Sequence, residues 1–213
     1  LEYIQYIVQH HALPPSFGGW EFHQPPLYYL LMAPLFSCGE RLALFQPQHA
    51  IQLFSLACWV AMIFVAERLL SHLLPSHRRW KSLLLALFAF WPSGIILSAR
   101  IGNDPLLSLF SLIALWQTLL WWEKKEQRHY FWALIAASLA LMTKASGLVP
   151  LAVLLFFTLL HLLQKRVLPL SRLSLIAILF IAFSVSFGRN LYGSLKGESH
   201  LLMGDSGKGM NRE

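Results

Sequence analysis

The chain has 213 residues, 56% of them hydrophobic and 13% charged, with a formal net charge of +7. Soluble domains carry about 25% charged residues. Half that share leaves too little polar surface to coat a water-soluble globule, which excludes a soluble enzyme, a disordered tail and a disulfide scaffold together.

The pattern is that of an all-α polytopic membrane protein. The pI of 9.7 does not imply nucleic acid as a partner, because the basic residues punctuate long apolar runs instead of clustering on one solvated face. Cys38 and Cys58 both lie in apolar stretches and carry no information on redox compartment.

Residues 1–47 read as an outer-face loop with amphipathic and re-entrant helices. Within it, Leu27 to Cys38 is apolar but only a dozen residues long, and Pro25, Pro26 and Pro34 interrupt it. A spanning helix needs about 20 residues, so this segment predicts a short interfacial or re-entrant helix that starts at the prolines. Residues 48–188 predict a bundle of about six transmembrane helices: Ala50 to Leu70, Ser82 to Ala99, Pro105 to Trp122, Tyr130 to Met142, Leu148 to Leu163 and Leu173 to Phe187. The fourth is short and borrows from its flanks. Residues 189–213 read as the start of a second, truncated outer-face segment. Leu1 is not Met and no basic, cleavable signal precedes the first span, so the chain reads as a piece whose first span lies upstream.

Lys and Arg are retained on the cytoplasmic side of short loops. One set of loops carries Arg78, Arg79 and Lys81, then Lys124, Lys125 and Arg128, then Lys165, Arg166 and Arg172, nine cations in all. The opposite loops between residues 71 and 172 carry two, Arg100 and Lys144. The nine-cation side is inner, and Trp80, Trp121, Trp122 and Trp132 border it as an aromatic belt.

That orientation gathers Arg100, Asn103, Asp104, Lys144, Arg189 and Asn190 at the outer helix ends, with Glu21, His23 and Gln24 in the loop before them. Each has a bland use. Asp104 before Pro105 has the pattern of an N-cap, Lys144 in the turn Thr143 to Gly147 snorkels to the interface, and Arg100 and Arg189 anchor helix ends to lipid phosphates. His10, His11, His49, His72, His77, His129, His161 and His200 show no metal-ligand spacing. Gly204 to Gly207 has the letters of a serine-protease nucleophile segment without a triad around it.

Taken in order, four outer stretches resemble the GT-C membrane glycosyltransferases, nearest in pattern to the protein O-mannosyltransferase-like and lipid A aminoarabinose transferase-like branches. Glu21-Phe22-His23-Gln24-Pro25-Pro26-Leu27-Tyr28-Tyr29 resembles the family's E-x-x-x-PPLYY segment. Arg100-Ile101-Gly102-Asn103-Asp104-Pro105 resembles its acidic outer turn, Leu141 to Gly147 its T-K turn, and Gly188-Arg189-Asn190 to Gly193 its R-N-x-x-x-G segment. The resemblance implies sugar transfer from a polyprenyl-phosphate-linked donor to a lipid, glycan or protein acceptor, in the plasma (inner) membrane with the active face outward.

It further implies roles. Lys144, Arg100 and Arg189 would bind the donor phosphate, whose departure builds negative charge that fixed cations stabilise. Asp104 and Glu21 are the catalytic carboxylates, and His23, Gln24, Tyr28, Tyr29 and Asn103 the acceptor- or substrate-binding set. The family carries an early Asp or Asp-Glu motif that commonly supplies the base. Here Glu2 is the only early acid, and Leu1 to Val8 resembles the amphipathic helix that follows that motif. The base is therefore expected upstream of Leu1, this piece alone is expected to be inactive, and Glu21 and Asp104 become second acids that orient the acceptor, hold hydrogen bonds or ligate metal. Some branches use a divalent metal and others do not, so a divalent cation on Glu21 stays open. The alternative is a lipid-linked sugar or polysaccharide transporter, in which the same cations hold a moving lipid phosphate.

Overall fold

A computed structural model describes residues 1–16, 19, 21–42, 46–164 and 172–195. Among these every regular element is helical: α1 (Glu2–His10), α2 (Leu27–Leu42), α3 (Pro47–Leu73), α4 (Arg78–Ala89), α5 (Pro92–Ala99), α6 (Asp104–Lys124), α7 (Gln127–Thr143), a 3-10 turn (Ala145–Gly147), α8 (Leu148–Leu163) and α9 (Arg172–Leu195). Lys165, Arg166, His200 and the segment Gly204 to Gly207 lie outside the described residues, as does most of the expected second outer segment.

All six apolar segments fall on helices, and among the described residues three to four of these are candidate spans. α3, α6 and the 145–163 stretch are long and apolar enough to cross a bilayer, and α4 with α5 adds a fourth if that pair, bent by 45°, is one span. The bend has a local cause. Pro92 has no N–H to donate and stands in the first turn of a new helix after an extended Trp91. α7 has 17 residues, and in α9 the described side chains give an apolar stretch Ile178–Tyr192.

In the three long helices only 28%, 33% and 33% of the most apolar window is buried within the protein. Their outer faces are apolar as well, with Phe64 and Val149 exposed at 68% and 65%. A helix that is hydrophobic all round suits lipid. α6 and α7 form the most extensive helix pair, because Ala114, Ala133, Ala136, Ala137 and Ala140 are all buried and small side chains let helices approach closely. Gly147 continues that contact, since a Cβ there would stand 2.2 Å from the carbonyl carbon of Ala140.

The expected inner end is laced by ion pairs, His72 to Glu123 at 2.5 Å and Lys81 to Glu67 at 3.8 Å, which tie α3 to α6 and to α4. Trp80 and Trp132 are exposed there, as a belt requires. Trp121 is not part of it: it is 1% exposed and packs on Tyr130 and His161. At the opposite end α1, α2 and α3 close a separate core around Tyr3, Ile4, Phe22, Tyr28, Tyr29 and Met32. The expected short helix is present but longer than a dozen residues, spanning Leu27–Leu42 with Pro34 inside it.

Candidate functional site

α6 and α7 run antiparallel through a short connection, so the start of one lies beside the end of the other. Asp104 is the first residue of α6 and Lys144 follows the last residue of α7. A carboxylate is favoured at a helix N-terminus and an ammonium at a C-terminus, and both dipoles act here. Lys144 Nζ donates to Asp104 Oδ1 at 2.6 Å, with 30% and 39% of the two side chains exposed. The capping expectation is corrected: Asn103 occupies the N-cap position with no side-chain cap bond, and the Asp104 carboxylate serves Lys144 instead. Lys144 likewise does not extend alone to the interface. Asn103, 7% exposed, donates from Nδ2 to the Thr143 carbonyl at 3.4 Å, a second bond across the same junction.

The two tyrosines of the Pro-Pro-Leu-Tyr-Tyr run are neighbours on α2 and therefore point apart. Tyr28 accepts a hydrogen bond from the Gly102 N–H at 3.1 Å, and Tyr29 donates to Glu21 Oε2 at 3.3 Å. Both rings are buried, at 1% and 2% exposure, so neither offers a face to a ligand. Burial raises both phenol pKa values, and the Glu21 carboxylate pushes Tyr29 further the same way. Each phenol stays protonated.

Arg189 makes the densest set of polar contacts in the molecule's described part. Its guanidinium donates to the Tyr3 hydroxyl and the Pro14 carbonyl, both at 2.8 Å, to the Phe22 carbonyl, and to the Gln24 carbonyl at 3.2 Å. Asn190 Nδ2 takes the His23 carbonyl between them at 2.7 Å. The expected phosphate ligand thus clamps two carbonyls of the Glu21 loop, and its neighbour Asn190 takes the one between. Arg100 ends α5 as an exposed residue and forms no ion pair among the described residues.

His23 and Gln24 are half-buried, with the Gln24 amide 3.3 Å from His23 Nε2. Burial lowers the His23 pKa, Glu21 opposes the shift and Arg189 adds to it, so the imidazole is neutral at neutral pH. Among the described residues no three His, Cys, Asp or Glu side chains gather to hold a metal ion. Among the described residues Glu21 therefore has too few protein ligands beside it to hold a divalent cation by side chains alone.

Tyr3 belongs to this site although no motif supplies it, and Thr143 of the T-K turn enters it through its backbone carbonyl. Tyr3 stacks on Tyr29 with ring centroids 3.9 Å apart and planes 1° from parallel, while its hydroxyl receives Arg189. Thr143, 0% exposed, presents its carbonyl to Asn103. The adjacent buried pair Tyr3 and Ile4 was the available signal for the first, and a backbone acceptor leaves no signal for the second. Comparison with protein-family models, with curated proteins and with solved structures finds no match to this chain.

Proposed function

We propose that this chain is part of a membrane glycosyltransferase that moves a sugar from a polyprenyl-phosphate donor to an acceptor at the outer face of the plasma (inner) membrane, within a bundle of six spans. One observation carries the reading. The four outer stretches, scattered from Glu21 to Asn190, are joined to one another by hydrogen bonds at one end of the bundle. Tyr28 meets Gly102, Asn103 and Asp104 meet Thr143 and Lys144, and Arg189 and Asn190 meet Phe22, His23 and Gln24.

In this reading Lys144 is the electrostatic partner of the leaving phosphate. An ammonium has three donors, and Asp104 takes one. As the C1–O bond to the phosphate breaks, charge grows on the phosphate oxygens, and a fixed cation in a poorly hydrated site stabilises it. The acceptor hydroxyl forms the new bond to C1 from the opposite side, with inversion, and its proton passes to a carboxylate. That base is the one expected upstream of Leu1; Glu21, whose position the loop clamp holds, is a second acid that orients the acceptor, and Asp104 keeps Lys144 in place between turnovers. Arg189 contributes by fixing the Glu21 loop, and Arg100 remains available to lipid phosphate.

The test supplies full-length protein in nanodiscs with labelled polyprenyl-phosphate sugars and a mixed acceptor pool. Label appearing on an acceptor, and lost in the Lys144→Ala and Asp104→Asn double variant, supports the assignment. Unchanged turnover in that variant overturns it.

The bent α4–α5 pair favours a second reading, a lipid-linked sugar transporter, because transporters build their sites at broken helices. The cavity of about 610 Å³ beside the bend is lined by Trp59, Phe88, Trp91, Leu107 and Leu112 with three serines, and no charged side chain lines it among the described residues. Passage of intact donor between leaflets would select this reading.

A further inference from the structure

The polar face of α1 has no use in the account above. Glu2, Gln5, Tyr6 and Gln9 recur at the spacing of one helix face, opposite the buried Tyr3 and Ile4. Interfacial helices that bind membranes carry Lys and Arg on that face. This one carries a carboxylate, two amides and a phenol.

Two clefts open on either side of Glu2, and Phe22 lines both. The first, about 300 Å³, is formed by Leu1, Glu2, Tyr3, Glu21, Phe22 and Ile101. The second, about 330 Å³, is formed by Glu2, Gln5, Tyr6, Gln9, Pro15 and Phe22. Each lies near the lower bound of about 300 Å³ for ligand sites. The side chains are aromatic rings, amides, carboxylates and aliphatic groups, and no Lys, Arg or His side chain lines either cleft among the described residues. The nearest guanidinium, Arg189, is taken by Tyr3, Pro14, Phe22 and Gln24.

We propose that these paired clefts bind a neutral, hydroxyl-rich oligosaccharide as the acceptor, one sugar unit in each, with the Glu21 cleft holding the reacting unit. Two carboxylates without a cationic side chain beside them repel phosphorylated or uronic acid ligands, whose buried charge would go unpaired. Amides offer both donors and acceptors to hydroxyl pairs, and carboxylates accept from hydroxyls in charge-assisted bonds. The half-buried Tyr6 ring beside Phe22, with centroids 5.8 Å apart, offers the apolar surface on which a pyranose C–H face rests. The acceptor role rests on the glycosyltransferase reading; the binding itself does not.

The experiment is saturation-transfer NMR on the protein in nanodiscs, free of sugar-based detergent, with mannotriose, an oligomer of uronic acid and glucosamine as probes. Mannotriose signal is expected, with the uronic acid oligomer silent and glucosamine weaker than mannotriose. Gln5→Ala with Gln9→Ala, both exposed positions, is expected to weaken mannotriose binding about tenfold, the loss of one or two neutral hydrogen bonds. Glu2→Gln should let the uronic acid oligomer bind. Equal binding of all three probes, stronger binding of the acidic or amine probe, or no effect of the Gln5 and Gln9 changes on a chain of unaltered helicity overturns the proposal. Mannotriose binding without any sugar transfer would leave the clefts assigned and refute the transferase reading; transfer to an acceptor that mannotriose does not displace would do the reverse.

Discussion

Replacing either partner of the Lys144–Asp104 pair separates a structural strut from a chemical group. At 2.6 Å and an effective dielectric of 20, the bare attraction is about 6 kcal/mol. About a third of each side chain meets solvent, so screening and side-chain entropy reduce the net contribution to about 1 kcal/mol. For a chain of this length that corresponds to a Tm loss of about 2–4 °C. A preorganised donor facing a developing anion is worth far more, about 10²–10³ in kcat. Lys144→Ala is therefore expected to leave the melting curve almost in place while transfer falls at least a hundredfold. Asp104→Asn removes the anion that competes for the ammonium. It should tighten polyprenyl-phosphate binding and lower kcat, the opposite of Lys144→Ala on affinity. The assay pairs thermal melts in nanodiscs with binding of polyprenyl phosphate and labelled-sugar transfer. A Tm loss above about 10 °C in both variants, with affinity falling equally in both, would make the pair a strut and refute the reasoning.

Arg189→Lys should destabilise the protein by at least about 2 kcal/mol, because one ammonium cannot satisfy four spread acceptors and buried carbonyls left unpaired cost about 1–3 kcal/mol each; faster hydrogen exchange of residues 21–24 would show the loop released, and an unchanged melt would contradict the clamp. Gly147→Ala places a Cβ 2.2 Å and 2.3 Å from backbone atoms of Ala140 and Leu141, which cannot yield as a side chain would, so a loss of about 3 kcal/mol is expected and a wild-type Tm would refute the packing. Burial holds the His23 imidazole below its ordinary 6.5, with Glu21 opposing and Arg189 adding. The folded chain then binds that proton less readily than the unfolded one. The His23 contribution is full above about pH 6.5 and drains away as pH falls through the lowered folded-state value. His23→Gln should flatten the pH dependence of Tm in that window, and an unaltered slope would exclude His23 as its source.

Hydropathy located every helix of the bundle, because a run of apolar residues bounded by charge has few other ways to satisfy its backbone in lipid. It did not reveal direction. Ser82 to Ala99 reads as one span with Pro92 and Ser93 as its midspan interruption, and there Trp91 is extended and Pro92 starts a new helix, so the axis turns by 45°. A count of apolar residues is blind to that turn. Local rules also placed Asp104 at a helix start correctly and its carboxylate wrongly, since the competing partner, Lys144, stands 40 residues away.

Arg189 was legible as an outer cation and not as a clamp. Its acceptors are main-chain carbonyls 165 to 175 residues earlier, and a carbonyl looks the same at every position of a sequence. Tyr28 and Tyr29 drew attention as a motif, but adjacency on a helix sends them to different partners, Gly102 and Glu21. Their burial could not be read without knowing that Tyr3 stacks on one of them.

Sugar transfer breaks the bond between C1 and the lipid phosphate, and phosphorus NMR on sealed vesicles carrying the full-length protein and a polyprenyl-phosphate sugar measures that directly. In a transferase the phosphodiester signal of the donor falls while a polyprenyl-phosphate monoester grows one for one with sugar recovered on an acceptor, and Lys144→Ala stops both. A phosphodiester that crosses between leaflets without ever becoming a monoester would contradict the transferase reading.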